Sequence, residues 1–219
     1  MSAPLLPQSF WFRLSVPCRR VDAIPRSRGA SLDLPDACVL LPARSFEGEK
    51  TWAEVRAGWS PSGLAFSVDV SGKKKPPAKP LYEGADGDSF RVWIDTRDTR
   101  TIHRASRFCH RFSLTLAPNA NGLDVTVRHE PIARALGDPT SISVDSIVAQ
   151  AESRRGGWHL DVFFPKASLN GFDPETNRRL GLAYQVADME RENLLFPVGR
   201  DFPIGEDPSL WATLELVDP

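Results

Sequence analysis

Strict alternation of apolar and polar side chains in residues 88–96, DSFRVWIDT, constrains the fold of this chain more than any other feature. A period of two is typical of a β-strand, because successive side chains of a strand point to opposite faces of the sheet. One face of this run carries Phe90, Val92 and Ile94. The opposite face carries Arg91 and Trp93, so the pattern predicts a strand with one side in a core and a tryptophan beside a charge on the other.

The rest of the chain repeats this pattern in short segments separated by turn residues. Segments 53–59 and 64–70 flank the sequence SPSG, and segments 108–116 and 123–127 flank PNANG. Proline, asparagine and glycine favour tight turns, so each pair predicts a hairpin. No segment has a sustained helical period. The chain is therefore predicted to be all-β, an antiparallel β-sandwich of about nine to ten strands with short helical turns, one of them at 165–169.

Residues 71–87, SGKKKPPAKPLYEGADG, interrupt the strand pattern with four lysines and three prolines. Proline lacks the N–H that a sheet interior requires, so this segment is predicted to form a mobile surface loop. Its lysines are expected to be solvated.

Length and charge limit the classes of partner. The chain has 219 residues with 27 basic and 28 acidic side chains, a net charge of -1 that offers no general attraction for nucleic acid or an anionic membrane. No apolar run reaches the roughly 18 residues of a membrane span, and no signal peptide is apparent, so a cytoplasmic location is expected. Cys18, Cys38 and Cys109 have unrelated spacings and are predicted to be free thiols.

Six short motifs occur in an order that resembles carbohydrate-binding module family 9 and its relatives. They are AGWS at 57–60, GLAFSVDV at 63–70, GDSFRVWID at 87–95, FP at 164–165, LGLAYQVAD at 180–188 and WATLEL at 211–216. The resemblance makes residues 43–219 the sandwich domain and leaves residues 1–42 as an N-terminal segment that packs on it or extends it. It implies a non-catalytic module that binds sugar ends and holds structural calcium.

The same resemblance assigns the ligand to the polar face of the strand that contains Arg91, but the side chains there differ from the family pattern. Ala85 stands where the family places a tryptophan, and Arg91 stands where it places an acidic sugar ligand. Tyr82, Trp93 and Phe196 are the aromatic candidates for a sugar platform, with Arg91 donating hydrogen bonds to hydroxyls or a carboxylate. The predicted ligand site is therefore Tyr82, Arg91, Trp93 and Phe196, and the expected partner is a carbohydrate.

Burial of Trp93 is the alternative to a ligand site. Trp11, Trp52, Trp93 and Trp211 all lie on the more polar side of their segments, which indicates that something covers them, and residues 1–42 are the expected cover. The chain would then be a structural or protein-interaction domain without a sugar ligand. A heme-binding domain of the same sandwich class is a remote third alternative, with Met1 and Met189 as the methionines available to it.

Neither catalysis nor a zinc site is predicted. The sequence has no G-x-S-x-G elbow, glycine-rich phosphate loop, H-E-x-x-H or C-x-x-C motif. Cys109 and His110 are zinc-type side chains near His103, but as neighbours in a strand they point to opposite faces, and His110 is expected to be half-buried instead. The carboxylate pairs Asp86 with Asp88 and Asp95 with Asp98 could act as acid and base in a cleft, but loops of β-sandwiches commonly carry such acids. Two of these carboxylates could instead hold structural calcium.

Overall fold

Twelve β-strands and four 3-10 helices make up the computed structural model, which describes residues 14–21, 32–40, 51–78, 87–120, 122–137 and 140–219. The strands are β1 (Ser15–Arg20), β2 (Val39–Leu40), β3 (Ala53–Ser60), β4 (Gly63–Val70), β5 (Ser89–Asp95), β6 (Cys109–Asn119), β7 (Gly122–Glu130), β8 (Val148–Arg154), β9 (Gly157–Pro165), β10 (Arg179–Ala187), β11 (Leu194–Phe196) and β12 (Ala212–Val217). The 3-10 helices are Asp36–Cys38, Val144–Ser146, Lys166–Ser168 and Pro208–Leu210. The predicted all-β class is confirmed.

The strands form one hydrogen-bonded network that is folded into two layers. The first layer has the order β12-β10-β5-β6-β7, with β11 paired to β10, and the second has the order β8-β9-β4-β3-β2. Strand β1 joins the layers at one edge by pairing in parallel with both β12 and β3. Leu123 of β7 and Ala151 of β8 join them at the other edge. The remaining pairings among the described strands are antiparallel, so the architecture is the predicted antiparallel sandwich.

The apolar faces of the strands fill the space between the two layers. Phe90, Val92 and Ile94 of β5 are fully buried there, as their alternation predicted. Large aromatic side chains from both layers pack in the same core, namely Trp59, Phe66, Phe112, Trp158, Phe164, Tyr184 and Phe196. Burial of each such ring stabilises the fold by about 2 kcal/mol. A shift of any strand by one residue would expose its apolar side chains, so burial of the core fixes the register of the strands.

Both predicted hairpins are present. Strands β3 and β4 pair as far as Ser60 and Gly63, and strands β6 and β7 pair as far as Asn119 and Gly122. Gly63 has φ +154° and Gly122 has φ +139°, conformations that other residues rarely adopt, which explains the glycine after each turn. The strand count exceeds the predicted nine to ten in part because β2 and β11, with 2 and 3 residues, are too short to show a period.

Residues from the predicted N-terminal segment 1–42 take part in the sandwich wherever the structure describes them. Strand β1 completes the network at one edge, as described above. Residues 32–38 lie on the outer face of the second layer, where Leu32, Leu34 and Cys38 pack with Ala65 and Phe163. This segment therefore both extends the sheet and covers one of its outer faces.

The three cysteines are free and buried. Burial raises the pKa of the Cys109 thiol to about 12, so this side chain stays protonated and unreactive at neutral pH. Within the described ranges, no helix has both the length and the apolar character needed to cross a membrane.

Candidate functional site

A cavity of about 550 Å³ opens on the outer face of the first layer, above β5, β10 and β11. Trp93, Gln185 and Leu195 form its floor, because each has the opposite parity to the core-facing residues of its strand. The walls come from the chain on either side of β11. They are lined by Arg191, Glu192, Asn193, Arg200, Phe202, Pro203, Ile204, Gly205 and Glu206. The cavity thus combines an apolar and amide-bearing floor with mostly polar walls.

Trp93 lines the cavity although it is almost fully buried. Only 4% of the residue is exposed, because segments around Ala105 and Ile132 pack on it and the Arg111 guanidinium lies 5.9 Å from the ring centroid. Gly205 lies on the side of the cavity, where a Cβ would be 3.6 Å from Cζ2 of Trp93. A side chain at position 205 would therefore lie against the Trp93 indole.

The wall that contains Gly205 is held in place by hydrogen bonds. The indole N–H of Trp211 donates to the carbonyl oxygen of Ile204 at 2.7 Å. The carboxylate of Asp207 accepts the amide N–H of Ser209 at 2.9 Å and caps the 3-10 helix that follows. These bonds fix the wall where it meets the floor, so the shape of the cavity is part of the fold.

Charged side chains in the walls are arranged in pairs of opposite sign. Arg200 forms an ion pair with Glu192, and Glu206 lies 3.8 Å from the guanidinium of Arg134. The lining also includes two neutral amide side chains, Gln185 and Asn193. The cavity therefore offers both hydrogen-bond donors and acceptors without a large excess of either charge.

Two of the predicted ligand residues, Arg91 and Trp93, share this outer face. Trp93 lines the cavity. Arg91 lies two positions earlier on the same side of β5 and is paired in register with Gln185 of β10. The strand that the sequence singled out thus supplies part of the cavity floor.

Phe196 does not lie at the cavity, and the prediction that it belongs to the site was wrong. Its side chain is fully buried in the core and stacks on Tyr184, with ring centroids 4.9 Å apart. Alternation along β11 explains the difference, since Leu195 points to the cavity and Phe196 points inward. Tyr82, the other predicted aromatic, lies outside the described residues, as does Ala85.

Several lining residues were not predicted from the sequence. Gln185 had a usable signal, because it stands on the polar side of the strand motif LGLAYQVAD. Asn193, Phe202 and Gly205 had none, since they lie in irregular segments where no period shows which side chains point to a ligand.

Among the described residues, the cover over Trp93 comes from segments near residues 105 and 132. Ala105, Ile132 and Ala135 pack around it, together with the buried Trp211. The described residues 32–38 lie instead on the outer face of the second layer. Trp52 is half-buried, and Trp11 lies outside the described residues. Trp93 and Trp211 are therefore covered, as expected, and the cluster around Trp93 contains none of the described residues of segment 1–42. The rest of that segment lies outside the described residues.

A buried lysine stands at the carboxylate where calcium was considered. Lys73 was predicted to be solvated, yet its ammonium is buried, donates to Asp88 Oδ1 at 2.6 Å and lies 3.0 Å from Asp188 Oδ2. Asp88 also accepts the indole N–H of Trp158 at 3.3 Å and the amide N–H of Ala78 at 3.0 Å. With its oxygens bonded to protein donors and a positive charge already beside it, Asp88 does not fit a calcium ligand. Compensation by two buried carboxylates explains why this lysine leaves the solvent.

The second pair considered for calcium is likewise bonded to protein donors. Asp95 accepts the amide N–H groups of Arg97 at 2.9 Å and Thr99 at 2.7 Å, and Asp98 accepts the hydroxyl of Thr213 at 2.9 Å. Burial raises the pKa of both carboxyl groups. These contacts organise the turn after β5 and leave neither group arranged for a metal. Asp86 lies outside the described residues.

Histidines and cysteines of the described residues do not combine into a metal centre. No group of three or more His, Cys, Asp and Glu side chains is arranged there to hold a metal ion. His110 is fully buried, more than predicted, with Nδ1 3.4 Å from Nε2 of His129 and Nε2 3.4 Å from the carbonyl oxygen of Asn170. Burial, together with His129, lowers the pKa of His110 to about 4, so the ring is neutral at pH 7. Cys109 lies in the outer cluster, on the opposite face.

Solved structures with the same architecture include two family 9 carbohydrate-binding modules. A family 9 carbohydrate-binding module from Caldicellulosiruptor kristjanssonii in complex with cellotriose superposes with a TM-score of 0.61 at 12% identity, covering 94% of each chain. A family 9 module from the same organism in complex with glucose gives 0.57 at 11% identity, over 94% of this chain and 96% of that one. A candidate carbohydrate-binding protein from Bacteroides uniformis ATCC 8492 gives 0.54 at 11% identity, over 93% and 99%.

Sequence comparison adds no family to this structural likeness. No protein-family model matches the chain, and no curated protein matches it. The structural likeness nevertheless confirms the fold that the six sequence motifs indicated, a family 9-like β-sandwich.

Proposed function

We propose that this chain, which shares the fold of family 9 carbohydrate-binding modules, is a non-catalytic module that binds a carbohydrate in the cavity above Trp93. The observation that carries the proposal is the cavity itself, about 550 Å³ of space on the same strand face that the sequence singled out. Its volume falls in the range of small-molecule sites, about 300–1,000 Å³. Sugar-binding structures with the same fold support the choice of ligand class.

The lining suits a sugar because a pyranose presents apolar C–H groups and directed hydroxyls together. Apolar surface is supplied by Leu195 and Phe202, and neutral hydrogen-bonding groups by Gln185 and Asn193. An amide carries both a donor and an acceptor, as a hydroxyl does, so the two groups can pair reciprocally. Arg91 does not line the cavity, although it lies two positions before Trp93 on the same face of β5.

The acidic side chains of the lining support binding without catalysis. Glu192 is paired with Arg200, and Glu206 lies near Arg134, so each carboxylate lies beside an arginine. We expect purified protein to leave cellotriose intact during prolonged incubation. Release of glucose above the level of a heat-denatured sample would contradict this part of the proposal.

A matched pair of glycine substitutions tests the cavity. Gly205→Leu places a side chain against the Trp93 indole at the cavity, whereas Gly199, in the same connecting segment, has no atom within 4 Å of an added Cβ. Glycan arrays would identify a ligand, and calorimetry would compare wild-type, Gly205→Leu and Gly199→Leu proteins. We expect Gly205→Leu to weaken binding at least about tenfold, the loss of roughly 1.4 kcal/mol, and Gly199→Leu to bind as wild type.

One observation favours the alternative of a structural or protein-interaction domain. Trp93 is 4% exposed, so its ring packs the outside of the sandwich whatever the cavity binds. If wild-type protein gives no saturable response to any glycan at millimolar concentration, the carbohydrate proposal fails and the structural role of Trp93 remains. If both leucine variants bind a glycan as tightly as wild type, the chain binds carbohydrate at a place other than this cavity.

A further inference from the structure

The connection between β10 and β11 forms one wall of the cavity. It consists of residues 188–193, and three consecutive members, Arg191, Glu192 and Asn193, line the cavity. The connection lies beyond the paired residues of the two strands, so the hydrogen bonds of the β10–β11 ladder do not include it. A loop keeps one position where groups outside the ladder bind it to a neighbouring element. The contacts of this connection therefore bear on the shape of the cavity.

A second loop, residues 71–75, lies beside this wall and is bound to the second layer. The amide N–H of Ser71 donates to the carbonyl oxygen of Trp52 at 3.0 Å, and the amide N–H of Lys73 donates to that of Gly156 at 2.7 Å. Trp52 immediately precedes β3, and Gly156 lies in the turn between β8 and β9. The loop 71–75 is thus attached to the sandwich by bonds outside the cavity, and it can anchor the wall.

Glu190 joins the wall to this loop. One oxygen of its carboxylate, Oε2, accepts the amide N–H groups of Lys74 at 3.0 Å and Lys75 at 3.2 Å. The same oxygen lies 3.8 Å from the ammonium of Lys73. The amide of Lys75, the amide of Lys74 and this ammonium hold the pKa of Glu190 below its ordinary value, so the acceptor is ionised at neutral pH. Hydrogen bonds to an ionised acceptor are stronger than those between neutral groups.

Contacts on either side of Glu190 reach the same loop. Asp188 Oδ2 lies 3.0 Å from the ammonium of Lys73, and the guanidinium of Arg191 donates to the carbonyl oxygen of Ser71 at 2.8 Å. Substitution of Asp188 would also disturb a buried charge, and Arg191 itself lines the cavity. Glu190 is half-buried and outside the cavity lining. A change in ligand binding on its substitution would therefore report the position of the wall.

We propose that Glu190 is a positioning residue of the carbohydrate site, which holds the amides of Lys74 and Lys75 and so keeps residues 191–193 in their binding position. This inference rests on the proposed function. Without the carboxylate the wall leaves that position for part of the time, and the apparent Kd rises in inverse proportion to the fraction of molecules with the wall in place. The second layer of the sandwich thereby supports a site on the first.

Three substitutions of Glu190 test this role by calorimetry with cellotriose and, separately, with glucose. Glu190→Ala removes the acceptor, Glu190→Asp keeps the charge but shortens the side chain by one methylene, and Glu190→Gln keeps an acceptor oxygen at the same reach. Lys74→Ala is the control, because Lys74 donates through a backbone N–H that the substitution keeps. We expect the alanine and aspartate variants to bind about fivefold more weakly or worse, and the other two to stay within about twofold of wild type.

Amide hydrogen exchange gives a readout that is independent of the ligand. We expect the amides of Lys74 and Lys75 to exchange at least about tenfold faster in Glu190→Ala than in wild type or Glu190→Gln, because water replaces the carboxylate oxygen. The urea midpoint of Glu190→Ala is expected to match that of wild type, since Lys73 keeps both of its buried carboxylate partners. A local loss of this kind distinguishes positioning from a general loss of stability.

The outcomes separate this role from the proposed function. Weaker binding by the alanine and aspartate variants, with faster exchange of the two amides and an unchanged urea midpoint, supports the positioning role. Saturable wild-type binding with equal affinity in these variants, or with unchanged exchange of the two amides, overturns it and leaves carbohydrate binding standing. If one of the two variants fails to fold, the other decides. No saturable binding of either sugar to wild-type protein overturns both proposals for these ligands, since cellotriose and glucose are the sugars bound by modules of the same fold.

Discussion

Lys73→Met removes the ammonium group that lies against two buried carboxylates beside the start of β5. The side chains of Lys73, Asp88 and Asp188 are 1%, 0% and 0% exposed, and the ammonium lies 2.6 Å and 3.0 Å from the two carboxylate oxygens. Methionine keeps the length of the side chain and removes the charge, which leaves both carboxylates buried without compensation. Breaking a buried ion pair in this way costs about 3–5 kcal/mol, a large part of the stability of a typical domain.

Urea unfolding followed by tryptophan fluorescence measures this cost as the change in the free energy of unfolding. Lys74→Met is the matched control, because Lys74 is exposed, and only its backbone N–H contacts Glu190, at 3.0 Å. We expect the control to lie within about 0.5 kcal/mol of wild type. If the free energy of unfolding of Lys73→Met also lies within about 1 kcal/mol of wild type at pH 7, the Lys73 ammonium does not stabilise the fold through the two buried carboxylates.

Three further predictions concern stability. Burial lowers the pKa of His110 from 6.5 to about 4, so the neutral ring contributes its full stabilisation above pH 6.5. As the pH falls towards 4, up to about 3 kcal/mol of the free energy of unfolding is lost. Urea unfolding at several pH values should show this decline, and the decline should be smaller in His110→Gln. Burial of His159 disfavours its charged form, but the neighbouring carboxylates, Asp161 first, have the larger effect and raise its pKa to about 9. The charged ring therefore stabilises the fold fully below pH 6.5, and this stabilisation is lost as the pH rises through 9. Urea unfolding should show this loss in wild type and not in His159→Gln. Gly63→Ala puts a Cβ against a backbone carbonyl and should destabilise by about 2 kcal/mol more than Gly122→Ala, which has equal backbone strain but open space; equal melting losses would refute the clash.

The sandwich was predictable because its strands alternate strongly. Phe90, Val92 and Ile94 show a period of two in the sequence, and burying that face leaves a single register for β5. The hairpins were equally clear, because the glycines after their turns mark backbone conformations that other residues avoid. Strands of two or three residues, such as β2 and β11, leave no period to read.

The candidate site was only partly predictable, since alternation tells which side a residue lies on but not what covers it. Arg91 and Trp93 were placed on the correct face, but the loops that bury Trp93 come from segments distant in sequence. Phe196 was misassigned because β11 is too short for its parity to be seen beforehand. Lys73 was misassigned because its partner Asp188 lies far along the chain, and an ion pair of that kind leaves no local signal.

Mapping of backbone amide shifts during a sugar titration tests the central claim most directly. With ¹⁵N-labelled protein and the best ligand from a glycan array, or cellotriose if none stands out, the largest shifts are expected at Gln185 and in residues 191–206 around the cavity. Residues on the outer face of the second layer, such as His159, are expected to stay unchanged and serve as the control surface. Shifts confined to that second face, or none at millimolar ligand, would contradict a carbohydrate site above Trp93.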